Sequence, residues 1–219
     1  YSRYSKDIHR IRNRIFVYGA AEKATPLDKD ANTEDLTKTD GPVDAPDGQW
    51  TSGTGQGNVY IETTEAIVGS KSLEHRTESS DYYGCVVFTY AAGKEVDANK
   101  YPSFTFQIKL EQDKNFHGSC QLLLRDSVGS EVWKEFSVTP GEWSVQSYAA
   151  GKKNSDQWTH SVFNSTPFDW SSIKNVLFYA HFAGPGGAGT GSFWIDNMFW
   201  NHCRWEARRP LEAEEPTSS

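Results

Sequence analysis

From Ser103 to Leu110 the chain alternates without a break. Phe104, Phe106, Ile108 and Leu110 fall on one side, and Thr105, Gln107 and Lys109 on the other. A period of two is the pattern of a strand with one buried face. Similar runs are read at 58–61, 69–74 (a turn, then a strand), 82–90, 120–125, 131–138, 143–148, 176–182 and 192–200, separated by Gly, Pro, Asp and Ser. No apolar stripe of helical period stands out, and one helical turn is expected near 169–174. Short strands punctuated by turn residues predict an all-β sandwich or barrel. Within 176–182, alternation assigns Val176, Phe178, Ala180 and Phe182 to the core, and Leu177, Tyr179 and His181 to the outer face.

The ends of the chain read differently. Residues 1–14 are polar and basic, with Arg3, Lys6, His9, Arg10, Arg12 and Arg14. A short strand at 15–18 follows, so residues 1–20 are expected to form an N-terminal arm or linker strand. A start at Tyr1 rather than Met leads us to expect a fragment or a processed chain. Residues 20–58 carry Pro26, Pro42, Pro46 and many Asp, and predict a loop holding at most short strands. Long loops of this kind are usually functional or stapled by an ion. Residues 21–205 then form the sandwich, and the acidic residues 206–219 a disordered tail.

Composition narrows the partners. The 219 residues carry 22 Lys and Arg against 29 Asp and Glu, a net charge of −7. That balance argues against nucleic acid or an anionic membrane as the main partner, and no run is long and apolar enough for a membrane helix. One Met stands against 8 Trp, 10 Tyr and 12 Phe, with 18 Gly, the mix of a turn-rich β protein. Cys85, Cys120 and Cys203 form no Cys-x-x-Cys pair, which argues against a zinc ribbon. Cys85 and Cys120 could pair if their strands are neighbours; otherwise they serve as buried thiols.

Four segments, in this order, resemble carbohydrate-binding modules with the galactose-binding-like jelly roll. The first is Gly69, Ser72 and Leu73, a turn that opens a core strand. The second is Asp81-Tyr82-Tyr83-Gly84, followed by a strand and then by Tyr101-Pro102-Ser103-Phe104. The third is Thr139-Pro140-Gly141-Glu142-Trp143. The fourth is Phe168-Asp169-Trp170, a strand, a Gly-rich loop and Gly191-Ser192-Phe193-Trp194-Ile195-Asp196-Asn197. The whole order, over roughly residues 30–200, is similar to the β-glucan-binding modules of cellulases. Residues 13–19 also resemble the strand that joins modules in tailed-virus or cell-surface proteins.

The resemblance implies a β-sandwich jelly roll whose ligand crosses the concave sheet face. Pyranose rings present C–H patches that stack on Tyr or Trp, while Asp, Arg, His and amides bond their hydroxyls. Tyr82 falls where such modules place a stacking Tyr, and Tyr179 and His181 lie in the strand where they keep a Tyr and a His. Arg125, Asp126 and Trp133, on the neighbouring strand pair, would complete the groove. Asp196 would ligate a structural Ca²⁺, with Glu34 or Asp35 as a second acid and Lys71 giving its carbonyl. Hard oxygen donors from several loops suit that ion. Read from the residues alone, Asp196 is a carboxylate in a strand of aromatics. It needs a cation or a set of backbone N–H donors.

Catalytic arrays are missing from the sequence. Glycosidases on a jelly roll use paired carboxylates on a strand, commonly Glu-x-Asp-x-x-Glu, and no such run occurs. Neither a Gly-x-Ser-x-Gly elbow, a His-Glu-x-x-His pair nor a phosphate loop is present. The expectation is a non-catalytic module, extracellular or exposed on a surface or virion, that binds a polysaccharide or cell-surface glycan and sits beside other domains or subunits. The rival expectation is a structural sandwich in a virion, tail or cell-surface assembly, acting through protein–protein contacts.

Overall fold

Alternation in the sequence becomes a two-layered core. The computed structural model describes residues 36–38, 42–53, 57–77, 83–112, 116–161, 166–182 and 190–201. The expected arm (1–20) and tail (206–219) lie outside them. The strands are β1 (Thr37–Lys38), β2 (Val43–Ala45), β3 (Gly48–Ser52), β4 (Asn58–Glu62), β5 (Ser72–Thr77), β6 (Tyr83–Tyr90), β7 (Ser103–Leu110), β8 (Phe116–Asp126), β9 (Glu131–Ser137), β10 (Ser144–Ala149), β11 (Thr159–His160), β12 (Ile173–Phe182) and β13 (Gly191–Asn201). One sheet has the order β1-β2-β3-β6-β12-β8-β9-β11, the other β10-β7-β13-β5-β4. Every pairing is antiparallel. This is the expected β-sandwich jelly roll. No described helix is long and apolar enough to cross a membrane.

The core lies between the sheets. Phe104, Phe106, Ile108 and Leu110 of β7 are fully buried, as are Val86 and Phe88 of β6, Leu122 and Leu124 of β8, and Val176, Phe178 and Ala180 of β12. Phe106 and Phe178 meet across the layers with centroids 4.7 Å apart, while Phe104 and Trp200 at 4.5 Å, and Trp50 and Phe88 at 4.8 Å, are neighbours within one sheet or the other. Trp200 Nε1 donates to the Tyr90 hydroxyl at 2.9 Å, so a polar pair is satisfied inside the core. Elements absent from the sequence reading are β11 and a 3-10 helix at Lys152–Gln157. They are too short for a periodic pattern to mark them.

One local irregularity was not read from the sequence. In β13, Phe193 and Ile195 face inward, yet so do Met198 and Trp200, which have the opposite parity. A bulge between Asp196 and Phe199 reconciles them, with Asn197 in the left-handed region at φ 49°. Asn tolerates that conformation better than most residues.

The two free cysteines described do not pair. β6 and β8 are separated by β12. Cys85 belongs to an outer apolar cluster and Cys120 to the main core, so their side chains lie on opposite faces of one sheet. Both are free.

His75 of β5 is a buried polar group, 1% exposed. Its Nε2 lies 3.3 Å from Ser52 Oγ, its Nδ1 3.4 Å from Thr77 Oγ1, and its ring 5.0 Å from that of Phe193. Gly84 makes room for this cluster, because a Cβ there would stand 2.5 Å from Thr77 Oγ1. Burial pushes the imidazole down to about 4. Below about 6.5 the unfolded chain therefore takes up a proton that the folded one refuses, and stability rises with pH across that window. Lowering the pH from about 7 to about 5 should lower the urea midpoint, and His75→Gln should flatten this part of the profile. An unchanged slope in the variant would show that other groups set it.

Candidate functional site

The eight-stranded sheet has a second side, and the register states what lies on it. Directly opposed residues of neighbouring strands share a face. One row runs Thr51, Val87, Leu177, Leu123, Trp133 and Thr159 across β3, β6, β12, β8, β9 and β11. On one side of it lies the row Cys85, Tyr179, Gln121 and Glu135, and beyond that Tyr83 opposite His181. On the other side lies the row Gln49, Thr89, Asn175, Arg125 and Glu131.

The middle row makes an apolar floor. Cys85, Leu123 and Leu177 are buried in an outer cluster, with Tyr83, Val87, Trp133 and Tyr179 half-buried against it. Four strand spacings separate Thr51 from Trp133, roughly 19 Å. At one margin Tyr83 meets Tyr179 edge-on at 5.3 Å and tilts toward His181 at 6.0 Å. At the other margin Asn175 Nδ2 donates to Thr89 Oγ1 at 2.7 Å, and Arg125 Nε to Glu131 Oε1 at 2.7 Å. Gly53 keeps the β3 end bare: its N–H donates to the Cys85 carbonyl at 2.9 Å, and a Cβ would come within 2.3 Å of Cys85 Sγ.

Electrostatics keep the aromatic margin neutral. Burial, followed by the neighbouring Cys85 thiol, pushes the Tyr179 phenol well above its ordinary range. Burial likewise raises the Cys85 thiol to about 12. Tyr179 therefore offers an uncharged hydroxyl that can both donate and accept.

Four of the sequence-derived binding residues come together here: Arg125, Trp133, Tyr179 and His181. Tyr82 lies outside the described residues, and its neighbour Tyr83 stands on the face. That place was open to a reading of parity, since Tyr83, Cys85 and Val87 alternate with the core residues Val86, Phe88 and Tyr90. Gln121 and Glu135 carried no such signal, because only the strand order sets them beside Tyr179.

Asp126 is not part of this face. It follows Arg125 in β8 and is 1% exposed. Its Oδ1 accepts N–H bonds from Val128 at 3.0 Å and Ser130 at 2.8 Å, and its Oδ2 one from Asp169 at 2.9 Å. A carboxylate so occupied holds the β8–β9 turn to the segment before β12, and is not offered to a ligand.

Asp196 is fully buried, and its Oδ2 accepts the N–H groups of Ile67 and Val68, each at 2.9 Å. Those donors answer its charge by the second of the two routes open in the sequence. Lys71 sends its Nζ toward the Leu36 carbonyl at 3.4 Å. Glu34 and Asp35 lie outside the described residues. Among the described residues no group of three or more His, Cys, Asp or Glu side chains could hold a metal ion. The described donors thus fit a cation only in part, with a single carboxylate in place.

No protein-family profile matches the chain, and no curated protein matches it in sequence. Solved structures do share its fold. A family 30 carbohydrate-binding module superposes with a TM-score of 0.52 at 15% identity, over 81% of this chain and 91% of that one. The family 11 carbohydrate-binding module of Clostridium thermocellum, solved with a mixed-linked β-1,3-1,4 tetrasaccharide, gives 0.50 at 13% identity, over 76% and 94%. An exo-β-agarase gives 0.51 at 16% identity over 69% of this chain, which spans 22% of the agarase. At these identities the likeness is one of fold.

Asp126→Ala would take the acceptor from three backbone N–H groups at once, that of Ser130 buried and those of Val128 and Asp169 half-buried. It should lower the unfolding free energy by about 3 kcal/mol or more, read from the denaturant midpoint. A loss below about 1 kcal/mol would mean that water replaces the carboxylate in the turn.

Proposed function

We propose that the chain is a non-catalytic carbohydrate-binding module, and that the outer face of its eight-stranded sheet holds a polysaccharide chain. One observation carries the reading. Half-buried Tyr83, Tyr179, His181 and Trp133 share that face with an apolar floor that runs between an aromatic margin and a polar one. Sugar rings need both parts: flat apolar area for their C–H faces, and fixed donors and acceptors for their hydroxyls. A floor of roughly 19 Å suits a glycan chain better than a single sugar. The fold, shared with modules of families 11 and 30, supports the same reading. Such a module acts where polysaccharide is met, at or outside a cell surface.

The test is affinity electrophoresis and titration calorimetry against a panel of soluble polysaccharides, with sugar release assayed alongside. Tyr179→Ala and Trp133→Ala should each weaken binding to the retained polymer by about tenfold, the equivalent of one lost stacking contact with its hydroxyl bond. Far-ultraviolet circular dichroism should stay unchanged. Retention that survives both substitutions would move the ligand off this face, and steady sugar release would replace binding by catalysis.

A structural Ca²⁺ at Asp196 is a separate proposal. The ion would take the Asp196 carboxylate, the Lys71 carbonyl and an acid from Glu34 or Asp35, and would tie the long N-terminal loop to β13. EDTA should then lower the melting temperature by several degrees, and added Ca²⁺ should restore it. A melting temperature indifferent to both would overturn the ion and leave Asp196 to its bonds within the protein.

A further inference from the structure

Trp133 stands between two carboxylates on the open face. Glu131, Trp133 and Glu135 alternate along β9, and in the register with β8 they oppose Arg125, Leu123 and Gln121 in turn. Directly opposed residues share a face, so two polar pairs flank the apolar pair of Leu123 and Trp133.

The two pairs are not alike. Arg125 Nε donates to Glu131 Oε1 at 2.7 Å, and its Nη2 meets the same oxygen. That carboxylate is answered by a guanidinium, and the pair carries no net charge. Glu135 is exposed and has only the half-buried Gln121 amide opposite it. Among the described residues the Glu135 carboxylate makes no ion pair, and neither its side chain nor that of Gln121 makes a hydrogen bond. Lys134, its neighbour in sequence, is turned the other way by strand parity. The Lys134 ammonium lies over the Tyr148 and Trp158 rings, at 5.4 and 5.6 Å from their centroids, and does not answer Glu135.

Position gives these unspent groups a use. Two residues along a strand span about 7 Å, so a pyranose ring stacked on Trp133 carries hydroxyls on one side toward Gln121 and Glu135. The carboxylate accepts hydroxyl protons, and the amide both donates and accepts. A charge-assisted O–H···O⁻ bond is about twice as strong as a neutral one. The same charge repels an acidic substituent: at about 4 Å in water the repulsion changes affinity about fivefold. With a net charge of −7 over the whole chain, the long-range field adds to that repulsion.

We propose that Glu135 is a specificity-determining residue of the open face. With Gln121 it holds hydroxyls of the sugar ring stacked on Trp133, and its unpaired charge turns away acidic polysaccharides. The proposal rests on the reading of that face given above. The Arg125–Glu131 pair, closed on itself, leaves the other flank of Trp133 neutral, so the choice between neutral and acidic polymers falls to Glu135.

The experiment is calorimetric titration of the whole chain with matched polymers: the neutral hydroxyethyl and the acidic carboxymethyl ethers of one β-glucan and of one β-mannan. The protein should bind the neutral member of at least one pair about fivefold more tightly, and the ratio should narrow as salt rises from about 0.02 M to about 0.5 M. Glu135→Gln keeps the shape of the side chain and removes its charge. It should weaken neutral binding about fivefold, the difference between a charge-assisted and a neutral bond, and bring the ratio close to one. Glu142→Gln makes the same change in net charge at an exposed position before β10, on the other sheet, and should alter neither. Tyr179→Ala should weaken both ethers alike and keep the ratio. Three results would each overturn the role of Glu135 and leave the open face standing: equal affinity within every pair that binds, unchanged neutral binding in Glu135→Gln, or a ratio that Glu142→Gln narrows as much. Binding of none of the four polymers overturns the open-face reading and the role of Glu135 with it.

Discussion

Phe178 meets Phe106 across the gap between the sheets, and the rest of the molecule follows from which side of β12 that contact claims. Both rings are fully buried, 4.7 Å apart by centroid, and Trp50 stands 6.2 Å from Phe178 on the same sheet. Strand parity then gives Val176 and Ala180 to the core with Phe178, and turns Leu177, Tyr179 and His181 outward. A slip of one residue would bury an imidazole and a phenol and expose a phenyl ring. The same strand therefore builds the core and the open face, and the first fixes the second.

Buried polar groups do a different job. Asp126 and Asp196 each lie in a place with almost no solvent, and each is surrounded by backbone N–H donors from a loop distant in sequence. Such a carboxylate costs little when fully bonded and a great deal when not, so each loop is held in one arrangement. The Glu65–Ser70 region is drawn to β13 in this way, and Glu65 adds an ion pair to Lys109 at 2.6 Å. Where partners are missing the structure is less economical. Trp50 Nε1, Trp194 Nε1 and Gln107 Oε1 are buried without a hydrogen-bond partner among the described residues, and the Trp50 ring packs 4.8 Å from Phe88 and 6.2 Å from Phe178.

Much of this was legible in the sequence because it depends on period two. The unbroken alternation of 103–110 marked β7 and its core side, and that of 176–182 separated Phe178 from Tyr179 and His181. Arg125 and Trp133 could be set beside them because their runs were read as a neighbouring pair. Asp126 went astray by one residue: parity turns it away from Arg125, and one of the three backbone amides that bond it comes from a loop 43 residues later in the chain. The bulge at Asn197 was hidden for a related reason, since only packing shows that Met198 and Trp200 must face the same way as Ile195.

The sequence by itself determined the class of fold and the two sides of its longer strands, because each strand's faces are set by nearest-neighbour alternation. It also determined the chemistry on offer, with aromatics and amides at strand positions and no recognisable catalytic array. Only the tertiary structure decided the order β3-β6-β12-β8-β9, which sets Val87, Leu177, Leu123 and Trp133 in one row, and the tie that Asp126 makes between the β8–β9 turn and the segment before β12. Those depend on pairings between residues far apart in the chain, and strand order is settled by how all the strands together cover one core, which no local pattern records.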